Sequence, residues 1–205
     1  LQAIATARRL GAVVSGYDLR PEVGEQIESL GARHVAGPVT DHTSATGYAT
    51  EVDAATQRRQ LDALAEHTAM ADVIIATAAV PGRPAPLLVT REMVEGMRAG
   101  SVIVDMATTS GGNCELSRPD ETIVHDGVTV VGPTDLPSRV AHDASQMYAR
   151  NVVALLERVA PAGEPTVDLD DPVIGACCIT HDGEVVHHGS RRLLGLSPAT
   201  EDDDG

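Results

Sequence analysis

The chain has 205 residues, of which 42% are apolar, and it contains neither Phe nor Trp, so its core must be built from aliphatic side chains. It carries 30 acidic residues against 15 basic ones, every base is Arg, and the net charge is −15. A surface this acidic repels phosphate backbones, which argues against nucleic-acid binding. The sequence contains no run of the roughly 20 apolar residues needed to cross a bilayer, so we expect no direct membrane insertion.

The first residues follow a pattern typical of the second half of a dinucleotide-binding βαβ unit. Residues 1–10 predict a helix that ends at Gly11, and residues 12–20 (AVVSGYDLR) predict a buried strand with Asp18 at its carboxyl end. In such a unit this acid accepts hydrogen bonds from the ribose hydroxyls of adenosine. The strand and glycine-rich phosphate loop of the first half are expected before Leu1, since the chain also begins without Met. The alternative is that Asp18 only caps the helix that follows it.

Predicted helices and strands alternate along the next hundred residues. The helices are expected over residues 21–30, 51–70 and 90–97, and the strands over 32–35, 73–77, 101–107 and 128–132. Each strand is apolar throughout, which indicates a parallel, doubly wound, Rossmann-like α/β sheet. The small and polar residues 37–50 predict a long exposed loop.

The carboxyl-terminal third is expected to have a different organisation. Residues 138–159 predict the longest helix, and residues 177–187 predict a hairpin that turns at Asp182-Gly183. We therefore expect a nucleotide-binding domain over 1–137, a connecting helix over 138–160, a linker and hairpin over 161–190, and an acidic tail over 191–205.

The candidate ligand site lies at the predicted strand ends, because ligands of open α/β sheets bind beyond the carboxyl ends of the strands. Three of these ends are unusually bare: Asp18, residues 77–79 and residues 107–112. Small residues let a flat cofactor approach the backbone closely. Three bare ends together favour a ligand groove over simple strand termination.

The sequence predicts neither catalytic side chains nor a metal site. The eight His residues include no metal-like pair, and no Gly-x-Ser-x-Gly elbow is present. Cys114 follows Gly-Gly-Asn in a loop without a supporting His and Asp, so we expect a structural thiol. Cys177 and Cys178 are adjacent and seldom bridge each other, so all three Cys are expected to be buried thiols in a reducing cytoplasm.

Five segments carry a family resemblance: LQAIATARRLGA, YDLRPEVGEQIESLGA, PGRPAPLLVTREMVEGMRAGSVIVDMA, GGNCELSRP and VGPTDLPSRVAHDASQMYARN. Over residues 1 to about 187 the chain resembles the NAD(H)-binding part of the α subunit of proton-translocating NAD(P) transhydrogenases. The most specific element is LPSR followed by ASQMYARN. Alanine dehydrogenases belong to the same family and have an acid in the loop after the strand that matches residues 101–107. The corresponding Thr108-Thr109-Ser110 lacks one, which counts against amino-acid oxidation.

The resemblance implies NAD(H) as the cofactor. It would be bound by seven residues: Asp18 at the adenosine ribose, Leu19 and Arg20 on the adenine side, Gly47 and Tyr48 in a mobile loop that closes over bound nucleotide, and Thr77 and Ala78 at the next strand end. The carboxyl-terminal helix and hairpin would return to a first domain that precedes Leu1.

The resemblance also implies a reaction and partners. Hydride would pass directly from NADH to NADP⁺ on a partner subunit, coupled to proton movement through membrane subunits. Such a reaction requires the positioning of two nicotinamide rings rather than a catalytic acid, base or nucleophile in this component. The chain would form a homodimer and lie in the cytoplasm, at the inner face of the cell membrane, through its partners. The alternatives are an alanine dehydrogenase-like oxidoreductase and a non-enzymatic nucleotide-sensing module.

Overall fold

The computed structural model describes residues 1–37, 54–80, 82–161 and 163–196. The chain divides into two compact units, Leu1–Leu136 and Pro137–Gly205. None of the described helices combines the length and the apolar character needed to span a membrane.

The first unit begins with two helix–strand pairs. They are α1 (Gln2–Arg9), β1 (Ser15–Gly16), α2 (Pro21–Ser29) and β2 (Arg33–His34). The strands β1 and β2 pair in parallel and form a small sheet of their own. Both helices therefore occur where the sequence predicts them.

A small core joins these elements, and it corrects the prediction for the first strand. Val23, Ile27 and Ala32 are buried together, and Ile4 and Val14 pack against them. Val13, which was expected in a buried strand over residues 12–20, is instead 97% exposed. Of residues 12–20, only Ser15 and Gly16 pair with a neighbouring strand, and their partners are the two residues of β2.

The rest of the first unit is built on a second sheet. Its elements are α3 (Ala54–Met70), β3 (Val73–Ala76), α4 (Arg91–Glu95), β4 (Val102–Asp105), β5 (Thr122–His125) and β6 (Val128–Val131). The strand order is β3-β4-β6-β5. The first three strands in that order are parallel, and β5 is antiparallel to β6.

The antiparallel strand β5 was not predicted. It is joined to β6 by Asp126 and Gly127, whose φ angles of +48° and +80° are those of a tight hairpin turn. The apolar pattern of the sequence predicts only the strand after this turn. The Asp-Gly pair was therefore the signal that could have identified the hairpin.

The main core lies between one face of this sheet and the helices α3 and α4. Its buried residues are Val89, Met93, Val94, Met97, Ile103, Cys114, Leu116, Val128 and Val130. Leu61, Leu64 and Ala65 of α3 pack against them, as the helical pattern predicts. The N-cap of α4 is Thr90, whose hydroxyl accepts a hydrogen bond from the backbone N–H of Met93.

The second unit contains helices and one hairpin. Its elements are α5 (Leu136–Arg139), which starts at the last residue of the first unit, α6 (Ala141–Val159), α7 (Pro172–Cys177), β7 (Thr180–His181), β8 (Glu184–Val185) and α8 (His188–Leu193). The helix predicted over 138–159 is thus interrupted at Val140, whose ψ angle of 43° is not helical. The hairpin predicted over 177–187 is shorter: Cys177 belongs to α7, and each strand of the hairpin has two residues.

Candidate nucleotide-binding site

Asp18 lies two residues beyond β1, with 27% of its side chain exposed. Arg20 binds this carboxylate through its backbone N–H and through two guanidinium nitrogens, each at an N–O distance of 3.0 Å. A carboxylate offers about four acceptor positions, so these bonds leave about one for a ligand. The side chain of Arg20 is thereby held against the strand end.

The electrostatics of this strand end keep Asp18 ionised. Burial raises the pKa of Asp18, but the hydrogen bonds and the positive charge of Arg20 outweigh burial, so the pKa lies below its ordinary value. Burial and the charge of Asp18 raise the pKa of Tyr17 to about 12, which keeps the phenol neutral. The hydroxyl of Tyr17 is one of three buried side-chain polar atoms without a hydrogen-bond partner among the described residues.

The alternative role of Asp18 as a helix cap is not supported. The N-cap of α2 is Arg20, and no side-chain cap hydrogen bond is made there within the described residues 1–37. Among the backbone N–H groups of the described residues, only that of Arg20 donates to Asp18, in a local turn. Its carboxylate therefore serves the strand end rather than the helix.

The end of β3 is fixed by a side chain from another loop. The backbone N–H of Ala78 donates to Asn113 Oδ1 at 3.0 Å, and Asn113 Nδ2 donates to the carbonyl oxygens of Ala78 and Pro86, both at 2.8 Å. Thr77 is exposed beside it. The small residues at this strand end thus have a defined backbone position.

Asn113 is held in turn by Asp105, the last residue of β4. Asp105 is fully buried, and its Oδ2 accepts from the backbone N–H groups of Asn113 at 2.7 Å and Cys114 at 2.8 Å and from the hydroxyl of Ser117 at 2.6 Å. Its Oδ1 accepts from the backbone N–H of Ala107 at 3.0 Å. One carboxylate therefore organises the whole turn after β4.

The small residues in that turn serve this network, which corrects one expectation. The stretch 107–112 was expected to lie open to a cofactor, but Ala107, Thr108 and Gly112 are buried, whereas Thr109 and Gly111 are exposed and Ser110 is half-buried. A Cβ atom on Gly112 would lie 2.5 Å from the Ser117 hydroxyl oxygen. Gly112 is therefore required for the close approach of the turn to the Asp105 network rather than for a ligand.

The predicted site residues fall into three groups in the structure. Thr77 and Ala78 are joined to the turn after β4, whereas Asp18, Leu19 and Arg20 follow β1 in the other sheet. Gly47 and Tyr48 lie outside the described residues. Asp105 and Asn113 are not among the predicted site residues, although an acid at the end of the apolar run SVIVD is the same signal that indicated Asp18.

The thiols differ in their surroundings. Burial raises the pKa of Cys114, so this residue remains a neutral thiol in the main core, as expected of a structural Cys. Cys177 is exposed, and the expectation that all three thiols are buried is wrong. The end of α7 leaves this side chain outside any core cluster of the described residues.

One group of potential metal ligands occurs within the described residues: Glu95, His125 and Asp126. It includes the turn between β5 and β6, at the amino end of β6, whereas the candidate site lies at the carboxyl ends of the parallel strands. The imidazole Nε2 of His125 is 2.9 Å from Glu95 Oε1, which is a hydrogen bond that the two side chains make by themselves. That no metal is bound stays a prediction.

The parallel strands, the alternating helices and the polar strand ends define a Rossmann-like α/β domain. Residues 1–188 match the family described as "Alanine dehydrogenase/PNT, C-terminal domain". The chain belongs to this family, which confirms the resemblance found in the sequence.

The relatives point more closely to transhydrogenases. An NAD(P) transhydrogenase subunit alpha polypeptide of Rhodospirillum rubrum is 43% identical over 194 positions, covering 91% of this chain and 50% of that protein. The crystal structure of transhydrogenase from Sinorhizobium meliloti has 43% identity and a TM-score of 0.72, and covers 90% of this chain and 49% of that one. An L-alanine dehydrogenase has 27% identity and a TM-score of 0.68, and covers 95% and 49%. The chain thus spans about half the length of these proteins.

Proposed function

We propose that this chain is the NAD(H)-binding part of a proton-translocating NAD(P) transhydrogenase α subunit. It would position NADH for direct hydride transfer to NADP⁺ on a partner subunit, coupled to proton movement through membrane subunits. Family membership and the greater identity to transhydrogenases than to the alanine dehydrogenase support this proposal. As a homodimer in the cytoplasm, it would reach the inner face of the membrane through its partners.

The observation that carries the proposal is the ionised Asp18 at the carboxyl end of β1. A carboxylate there can accept the ribose hydroxyls of NADH and repels the 2′-phosphate of NADPH. Arg20 occupies three of its about four acceptor positions, so binding both hydroxyls requires Arg20 to give up a bond. We infer that Arg20 then turns toward the adenine, while Leu19, Thr77 and Ala78 contact the cofactor and Gly47 and Tyr48 close over it.

The direct test is nucleotide binding by the protein as expressed from its gene. We expect wild-type protein to bind NADH more tightly than NADPH. Asp18→Asn should weaken NADH binding about ten- to a hundred-fold, a loss of about 1.4–2.8 kcal/mol, because charge-assisted hydrogen bonds to the ribose are lost. It should also shift the preference toward NADPH, because the repulsion of the 2′-phosphate disappears and the Arg20 guanidinium loses its carboxylate partner.

Glu22→Gln is the matched control, because it removes the same charge from the first turn of α2, four residues away. This variant should bind NADH within about twofold of wild type. Equal or tighter NADPH binding by wild type, or unchanged NADH binding by Asp18→Asn, would contradict the assignment. Alanine-dependent reduction of NAD⁺ would favour the alanine dehydrogenase alternative. The absence of an acid in Thr108-Thr109-Ser110 argues against that alternative. Nucleotide binding without any hydride transfer in the presence of the partner subunits would favour a sensing module.

A further inference from the structure

We propose that Asn113 is a positioning residue for the nucleotide site: its side-chain amide fixes the backbone of Ala78 and thereby sets where the β3 strand end meets the cofactor. This inference rests on the proposed function and adds a residue that does not itself touch the nucleotide. Asn113 would set the distance between Ala78 and the cofactor without making a polar contact to the cofactor itself.

The hydrogen bonding of Asn113 is complete. Asn113 is fully buried. Its carbonyl oxygen accepts from the backbone N–H groups of Leu88 at 2.8 Å and Val89 at 3.0 Å, and its own N–H donates to Asp105. With the three bonds of its amide, every polar atom of the residue has a partner. An apolar or acidic replacement would leave buried backbone groups unpaired, which is costly at such a position.

The position of Asn113 in the sheet explains why an amide is needed there. The parallel pairing of β3 with β4 ends at Ala76 opposite Asp105. Beyond this pair, the Asn113 amide spans from the turn after β4 to Ala78. It supplies both a donor and an acceptor, as a further strand residue would do. Ligands of open α/β sheets bind beyond the carboxyl ends of the parallel strands, which is where Ala78 and Asn113 lie.

The consequence falls on Ala78. Its backbone N–H and one of the two acceptor positions of its C=O are bonded to the Asn113 amide, so its remaining contact surface is mainly apolar. A nucleotide would meet this surface by van der Waals contact. Such contact is sensitive to distance, since a gap of about 0.5–1 Å already loses a quarter to a half of its energy. A small displacement of Ala78 should therefore weaken cofactor binding although no polar contact to the cofactor is removed.

The experiment compares Asn113→Ala and Asn113→Asp with Ser101→Ala in the protein as expressed from its gene. Ser101 is also buried, and its hydroxyl donates to the carbonyl oxygen of Ala71 at 3.2 Å. It lies at the amino end of β4, the end of the strand opposite to Asp105. Its replacement thus removes one part-buried side-chain hydrogen bond far from the proposed site. Three quantities are measured: the melting temperature, the dissociation constant for NADH, and the amide exchange rate of Ala78 without nucleotide.

All three variants should melt below the wild type. Asn113→Ala should raise the dissociation constant for NADH at least about tenfold and speed the exchange of the Ala78 N–H, whereas Ser101→Ala should leave both within about twofold. Asn113→Asp keeps an acceptor for the Ala78 N–H but places a carboxylate against two carbonyl oxygens. Asn113→Asp should therefore retain slow exchange of the Ala78 N–H and still bind NADH more weakly than the wild type. This variant also provides the test if Asn113→Ala does not fold.

The outcomes separate this inference from the proposed function. A wild-type protein that binds no NADH would overturn the proposed function, and the inference with it. A wild-type protein that binds NADH, beside folded Asn113 variants of unchanged affinity, would overturn the inference alone. In that case Asn113 would only stabilise the turn after β4. Failure of both Asn113 variants to fold, with Ser101→Ala folded, would also contradict it, because the residue would then act on the whole fold rather than on Ala78.

Discussion

Asp18 and Asp105 are two aspartates at the carboxyl ends of parallel strands, and their surroundings are opposite. Asp18 is partly exposed and bonded by one neighbouring residue, Arg20. Asp105 is fully buried, and within the described residues its partners are backbone N–H groups and the hydroxyl of Ser117. The same residue type at the same kind of position thus has two different environments.

The difference indicates how a strand-end acid can be assigned to binding or to structure. The four donors around Asp105 fill the about four acceptor positions of a carboxylate, so none is left for a ligand. Among the described residues, the donors around Asp18 come from a single residue, Arg20, and they leave about one acceptor position. Of these two acids, only Asp18 therefore has an acceptor position left for a ribose hydroxyl.

The largest expected effect is the loss of stability in Asp105→Ala. The replacement leaves three buried backbone N–H groups without an acceptor, whereas the Ser117 hydroxyl keeps the carbonyl oxygen of Cys114 as a partner. Each unpaired group costs about 1–3 kcal/mol, although the costs do not add. We expect the free energy of unfolding to fall by about 4 kcal/mol, measured by urea denaturation. By contrast, Asp18→Asn should change it by less than about 1 kcal/mol.

Asp168→Ala is the control for Asp105→Ala. Asp168 also accepts a hydrogen bond from a backbone N–H within its own turn, that of Asp170, but it is exposed. Its replacement should cost no more than about 0.5 kcal/mol. A cost for Asp105→Ala close to that of Asp168→Ala would end the distinction between a structural and a ligand-binding strand-end acid.

A second, smaller effect is expected at the glycines beside the Asp105 network. Gly111 and Gly112 both have positive φ, +107° and +85°, so an Ala at either is strained by about 1–2 kcal/mol. Only at Gly112 would the added Cβ also meet Asp105 Oδ2, at 2.9 Å, and Ser117. We expect Gly112→Ala to cost about 3 kcal/mol, and Gly111→Ala, where nothing lies within 4 Å, about 1 kcal/mol. Thermal unfolding of the pair measures the difference, and equal losses would show that the network has room to move.

The smallest effect concerns a third acid that combines features of the other two. Asp171 binds Arg158, as Asp18 binds Arg20, and also accepts the N–H groups of Val173 and Ile174 at the start of α7. The hydrogen bond from Arg158 is the main cause that lowers the pKa of Asp171 to about 2. Since the folded pKa is depressed, its stabilising contribution is present above the ordinary pKa near 4 and is lost as the pH falls toward 2.

Carboxyl NMR titration can check this value and its cause. Arg158→Gln should move the titration midpoint of Asp171 upward while the cap bonds to α7 remain. Asp171→Asn should remove the part of the acid destabilisation that falls between about pH 4 and 2. A midpoint near 4 in the wild type would contradict the contact with Arg158.

The local parts of the fold were predictable because their signals lie within a few residues of one another. The Pro at the start of α2, the Thr90 cap of α4 and the glycines beyond both helices identify these helices from sequence alone. The strand β5 was missed because only two of its four residues, Ile123 and Val124, are apolar, which is too short a run to indicate a strand. The break at Val140 was missed because the apolar spacing continues across it.

The sequence by itself determined the family, the alternation of helices and strands from α1 to β4, and Asp18 as a strand-end acid, since each follows from residues adjacent in the chain. The tertiary structure decided which acid is structural and which small residues are buried. Those properties depend on donors brought together across the fold, as when Asn113 reaches Ala78, 35 residues away in the chain. A side chain's chemistry can be read from its own position, but its burial and its hydrogen-bond partners are set by whichever segments pack around it.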